Sequence, residues 1–134
     1  MGERRILVIG SQCAAVMPPL SFLPSVAQEL YAIMTDAKLG GCVPALEKGG
    51  LLINPVIVEV REAIKTAFRR ASEDEATLFL AFIGHGSYVF SDFYLLPYDA
   101  SDKPMSDTAL HLVQLITELH RQHSTVDGLS LIHI

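Results

Sequence analysis

Thr77-Leu78-Phe79-Leu80-Ala81-Phe82-Ile83-Gly84-His85-Gly86 decides how the rest of the chain is read. The run from Thr77 to Ile83 is too short for a separate helix and too continuous for a strand with one wet face. Such a run suits a strand buried on both faces of a parallel sheet. Arg5-Ile6-Leu7-Val8-Ile9-Gly10 has the same form and supplies a second strand of this kind near the start of the chain.

Between these two strands the apolar spacing is helical. Ser25 is placed to cap a helix whose stripe is Val26, Leu30, Ile33 and Ala37, stopped by Gly40-Gly41. Leu51-Leu52-Ile53 reads as a short strand among Pro44, Gly49 and Gly50. Asn54-Pro55 reads as an N-cap with proline in the first turn. It opens a helix striped by Val56, Val60, Ile64, Ala67 and Phe68, with Glu62 and Arg69 on other faces, that ends near Ala71. Ser72 to Glu75 is expected to be a solvated acidic turn.

Beyond the second strand, Ser87 to Leu96 suits a small hairpin. Ser106 is placed to cap a third helix with the face Leu112, Leu115, Ile116 and Leu119, and Asp127-Gly128 turns the chain into an apolar strand, Leu129 to Ile134. Strands alternating with helices predict an α/β fold, a three-layer αβα sandwich with a mostly parallel sheet. A chain of 134 residues is one domain by length, residues 1–134, here expected to be incomplete at its carboxyl end.

Composition narrows the partners. Half of the residues are hydrophobic and 19% are charged, which excludes a disordered chain. Ten basic against fifteen acidic side chains give −5, and no basic run exceeds the pairs Arg4-Arg5 and Arg69-Arg70, so no nucleic acid is expected. No apolar stretch approaches the 18 or so residues that cross a bilayer, and the first residues lack a signal-peptide cleavage region. No membrane partner is expected, and a cytoplasmic location is. Cys13 and Cys42 are then reduced thiols by default. Dinucleotide and P-loop patterns do not occur, so nucleotide binding is not supported and no cofactor is expected; no Gly-x-Ser-x-Gly elbow occurs either, so a serine hydrolase would lack its nucleophile turn.

In parallel sheets ligands gather beyond the carboxyl ends of the strands. Gly84-His85-Gly86 puts one imidazole there, between two residues that let a ligand approach the backbone. The spacing offers a general acid or base at His85 and a backbone N–H at Gly86 that can donate to an oxyanion. A histidine at a strand end is equally often a solvated loop residue. Other candidates are weaker: loop carboxylates Asp92, Asp99, Asp102 and Asp107 for a cation, and His120 with His123, beside His111 in the same predicted helix, for zinc. Tyr88, Phe90, Phe93, Tyr94 and Tyr98 are expected to pack in the core rather than to line a pocket.

Leu78 to Gly86, with Leu96-Pro97-Tyr98-Asp99 downstream, resembles the histidine motif of caspase-like cysteine peptidases, in particular the bacterial caspase-family and metacaspase branches. Only this block is specific. Arg5 to Gly10 is similar to the family's opening strand, Leu23 to Leu39 to its first helix and Asn54 to Ala71 to the helix before the histidine strand. The resemblance implies peptide or protein substrates and a histidine–cysteine dyad in which His85 transfers the proton and Gly86 N–H is one oxyanion donor. The family's nucleophile follows the next strand in a sequence of the type Asp-x-Cys-x-x-Gly. Here that strand is Leu129 to Ile134, and neither Cys13 nor Cys42 matches the motif.

The expected nucleophile therefore lies a few residues beyond Ile134, and this chain alone is not expected to hydrolyse peptides. The missing carboxyl part of the domain becomes an expected partner, and the unpaired sheet edge is expected to leave the isolated chain marginally stable or self-associating. The terminal Leu-Ser-Leu-Ile-His-Ile also resembles a translated sequencing-adapter remnant. Two alternatives stand beside the peptidase: a non-catalytic caspase-like binding or regulatory module, and an unrelated doubly wound domain that binds a small ligand at the same strand ends.

Overall fold

The computed structural model describes residues 3–16, 18–89, 92–100, 110–123 and 128–133. Its frame is a five-stranded sheet in which every pairing is parallel. β1 (Arg4–Ser11) and β4 (Thr77–Gly84) lie side by side, in register from Arg4↔Thr77 to Ser11↔Gly84. The other edge of β1 is shared by two short strands. β2 (Val43–Pro44) lies beside Arg5 and Ile6, and β3 (Leu51–Ile53) beside Val8 to Gly10. On the far edge of β4 runs β8 (Gly128–His133), paired from Thr77↔Gly128 to Phe82↔His133.

A separate antiparallel sheet follows the end of β4: β5 (Gly86–Val89), β6 (Asp92–Leu95) and β7 (Leu110–His111). Three helices complete the described residues, α1 (Leu23–Thr35), α2 (Ile57–Glu73) and α3 (Leu112–Gln122). The protein is thus a mixed α/β fold with a mostly parallel sheet, and the hairpin expected between Ser87 and Leu96 is present as β5 and β6. β2 and β7, two residues each, are too short to leave a period in the sequence.

Alternation along the central strands divides the core in two. Leu7, Ile9, Leu78, Leu80 and Phe82 pack with Val60, Ile64, Ala67 and Phe68 of α2 and with Leu119 of α3. Ile6, Val8, Ala81 and Ile83 pack with Leu23 and Ala27 of α1. Each fully buried side chain of this size contributes about 1.5–3 kcal/mol. A slip of one residue would exchange the two sets, so burial pins the register.

Several helix boundaries depart from expectation for packing reasons. α1 starts at Leu23, not behind Ser25, with no side-chain cap, and ends before the glycine pair. Its buried residues are Leu23 and Ala27, while Ile33 and Ala37 are exposed. Gly10 sets this rotation: a Cβ there would lie 2.8 Å from the Ala27 Cβ, so the glycine that ends the first apolar run is where α1 presses on β1. α2 starts at Ile57 rather than at Pro55 and runs two residues beyond Ala71 to Glu73.

α3 starts at Leu112 with His111 as its N-cap, so Ser106 does not open it; Ser106 itself lies outside the described residues. The acidic turn is not simply solvated. Asp74 accepts from the Arg5 guanidinium, through Nε at 2.9 Å and through Nη2, and ties the end of α2 to β1.

Candidate functional site

The carboxyl ends of β1, β3 and β4 meet at one rim. Ser11 is paired with Gly84, and a Cβ on Gly84 would lie 2.3 Å from the Ser11 carbonyl oxygen. Only glycine allows the two strands to finish this close together. His85 is the next residue. It is half-buried, yet its Nε2 is fully buried and has no hydrogen-bond partner among the described residues. A buried polar atom left unpaired costs about 1–3 kcal/mol, which makes this nitrogen an exception that asks for a role.

The backbone of Gly86 is oriented by the hairpin. Leu96 N–H donates to the His85 carbonyl at 3.0 Å, so His85 and Leu96 form a hydrogen-bonded antiparallel pair. Bonded and non-bonded pairs alternate along such a ladder. Gly86↔Leu95 is then a non-bonded pair, and the Gly86 N–H turns away from β6. His85 and an outward Gly86 N–H thus sit side by side at the rim.

Residues 96–100 lace this rim together, a role that sequence reasoning missed. Besides Leu96 N–H on His85, Ser11 Oγ donates to the Leu96 carbonyl at 3.4 Å, and Tyr98 N–H donates to the Pro55 carbonyl at 3.1 Å. Ala14 N–H donates to the Tyr98 carbonyl at 3.2 Å. Asp99, considered as a cation ligand, instead accepts from Ile57 N–H at 2.9 Å and caps the start of α2. Asn54, expected in that cap, has φ 53° and accepts from Gln12 N–H at 2.9 Å. Asparagine tolerates this left-handed backbone better than most residues, and that preference was the available signal for a turn here rather than a cap.

The remaining candidates are dispersed. Cys13 reaches the rim, but its thiol is buried and donates to the Ala100 carbonyl at 3.3 Å. Cys42 lies among the residues packed under α1, and burial pushes its thiol above the ordinary value while Arg4 opposes the rise. Asp92 pairs with His111 Nε2 at 3.4 Å, and Asp102 and Asp107 lie outside the described residues. His111 and His123 are not helical residues; they cap α3 at its two ends, with His120 in its last turn. Among the described residues no cluster of three or more metal-ligating side chains occurs.

Tyr88 and Tyr98 are exposed, contrary to the core packing expected of them; Phe90 lies outside the described residues. A cavity of about 340 Å³ lies elsewhere, lined by Arg61 and Lys65 of α2 and His111, Gln114 and Glu118 at α3, and it includes neither His85 nor Gly86. No helix among the described residues is long and apolar enough to cross a membrane. The chain matches no protein-family model and no curated protein.

Proposed function

We propose that the chain is the amino-terminal part of a caspase-like cysteine endopeptidase, a three-layer αβα domain that cleaves peptide or protein substrates in the cytoplasm without a cofactor. One observation carries the reading: a buried imidazole nitrogen, unpartnered among the described residues, at the rim of a parallel sheet, next to a glycine whose N–H points out of its ladder. An imidazole whose Nε2 is not spent on the fold is available to exchange a proton with a nucleophile.

In the proposed reaction, His85 takes the proton from a cysteine thiol carried on the continuation of β8. The thiolate attacks the scissile carbonyl, and Gly86 N–H donates to the oxyanion that forms. The C–N bond then breaks, the imidazolium gives its proton to the leaving amine, and water hydrolyses the thioester with His85 again as base. The register of β8 supports this placement: His133 is opposite Phe82, so an unbroken extension sets the third residue beyond His133 opposite His85. Neighbouring strand ends are about 4.8 Å apart, within reach of two side chains.

The test has two parts. The encoding gene is read beyond Ile134 for a cysteine preceded by aspartate and followed by glycine. In the full-length product, His85→Ala is expected to abolish peptide hydrolysis with the fold intact, and retained hydrolysis would overturn the role. One observation favours a non-catalytic caspase-like binding or regulatory module instead: the Cys13 thiol is buried and bonded to Ala100, and Cys42 packs under α1. A native stop soon after Ile134 would select that reading.

A further inference from the structure

We propose that the cavity between α2 and α3 is a binding site for a free α-amino acid with an apolar side chain. This inference is independent of the peptidase reading, since neither His85 nor Gly86 lines the cavity. Both helices run back from the rim towards the amino ends of the strands that follow them, so they lie parallel, and they share one apolar cluster. The cavity between them holds about 340 Å³, at the small end of the range that encloses small molecules.

Its two walls carry opposite charge at matching spacing. On α2, Arg61 and Lys65 are four residues apart and so stand one turn apart on the same face. Gln114 and Glu118 repeat that spacing on α3. Arg69, one turn further along the α2 stripe, is paired with Glu73 at 2.9 Å, whereas Lys65 has no ion pair among the described residues. Among the same residues Glu118 accepts only from Gln122 Nε2, at 3.4 Å. A lysine and a glutamate thus line one cavity without pairing with each other.

Charge of both signs selects the ligand. A simple anion is opposed by Glu118 and a simple cation by Arg61 and Lys65, while a zwitterion satisfies both walls. Its carboxylate accepts from the α2 cations and relieves the repulsion between two like charges one turn apart. Its ammonium donates to Glu118. Leu110, buried, and Leu115, half-buried, supply the apolar surface that takes the side chain. His111 also lines the cavity, but its nitrogens face Gln114 N–H and Asp92, so it shapes the wall and leaves recognition to the other groups.

Amide-resolved NMR on this chain tests the proposal, with free leucine, N-acetyl-leucine and leucinamide as probes. Leucine is expected to shift the amides of residues 110–118 saturably, with a Kd of about 5 mM or tighter, weak because the charges stay partly wet. Each derivative lacks one charge and is expected to bind at least about tenfold more weakly. Two variants assign the charges. Lys65→Met weakens leucine binding about fivefold and narrows its advantage over leucinamide but not over N-acetyl-leucine; Glu118→Gln narrows the advantage over N-acetyl-leucine alone.

No saturable shift at residues 110–118, equal binding of the three probes, or variants that narrow both advantages alike would overturn the proposal. A double-mutant cycle in urea unfolding supplies a further check, because strong coupling between Lys65 and Glu118 would mean that the two charges pair across the cavity and close it to a ligand.

Discussion

His85 and His111 stand at opposite ends of the same small antiparallel sheet and are used in opposite ways. His111 has spent both ring nitrogens. Nδ1 accepts from Gln114 N–H at 3.2 Å as the N-cap of α3, Nε2 faces Asp92 Oδ1 at 3.4 Å, and the ring stands edge-on to Tyr94 at 5.0 Å. An imidazole engaged at both nitrogens is committed to the fold. His85 has a buried Nε2 with no hydrogen-bond partner among the described residues. Hydrogen-bond accounting, more than position in the sequence, separates a histidine that holds structure from one free to act.

The contrast depends on the strand end from which the hairpin springs, and Gly84→Ala attacks that end directly. Its new methyl would meet the Ser11 carbonyl at 2.3 Å, backbone against backbone, so the central pair must part and carry His85 with it. Overpacking costs about 1–3 kcal/mol where side chains can yield. Here neither partner is flexible, and a loss of about 3 kcal/mol or more is expected in urea unfolding. A loss below about 1 kcal/mol would mean that the rim is not held by this contact.

At the other end, His111→Ala removes the cap of α3 and is expected to cost about 1 kcal/mol, the usual value of an N-cap side chain. His111→Asn keeps an acceptor of the preferred capping type and should recover most of that loss. Equal destabilisation by both substitutions would locate the role of His111 in the ring contact with Tyr94 rather than in the cap.

The strands were legible because burial on both faces leaves a continuous apolar run. Arg5 to Gly10 and Thr77 to Ile83 each match an observed strand to within one residue at either end. The helices were legible as elements but not in their ends, since the ends are set by contacts distant in sequence: Asp99 caps α2 from 42 residues away, and His111 caps α3 by a geometry few sequences announce. At the site, His85 and Gly86 could be singled out from their glycine-flanked place after an apolar run, whereas the lacing by Ser11 and residues 96–100 has no local signal. An apolar run offered to the open edge of β4 pairs there whatever its origin, so its register supports the placement of a nucleophile without identifying one.

The smallest expected effect is the most discriminating between the two histidines. Replacing a buried unsatisfied polar group by an apolar one of similar shape can be neutral or stabilising, because a desolvated nitrogen with no partner is removed and no hydrogen bond is lost. His85→Leu is therefore expected to change unfolding free energy by less than about 0.5 kcal/mol, or to raise it, while His111→Leu loses the cap and is destabilised by about 1 kcal/mol. A substantial loss in His85→Leu, measured in the same urea series, would show that Nε2 is satisfied in solution and belongs to the fold, and the reason for assigning it to chemistry would go with it.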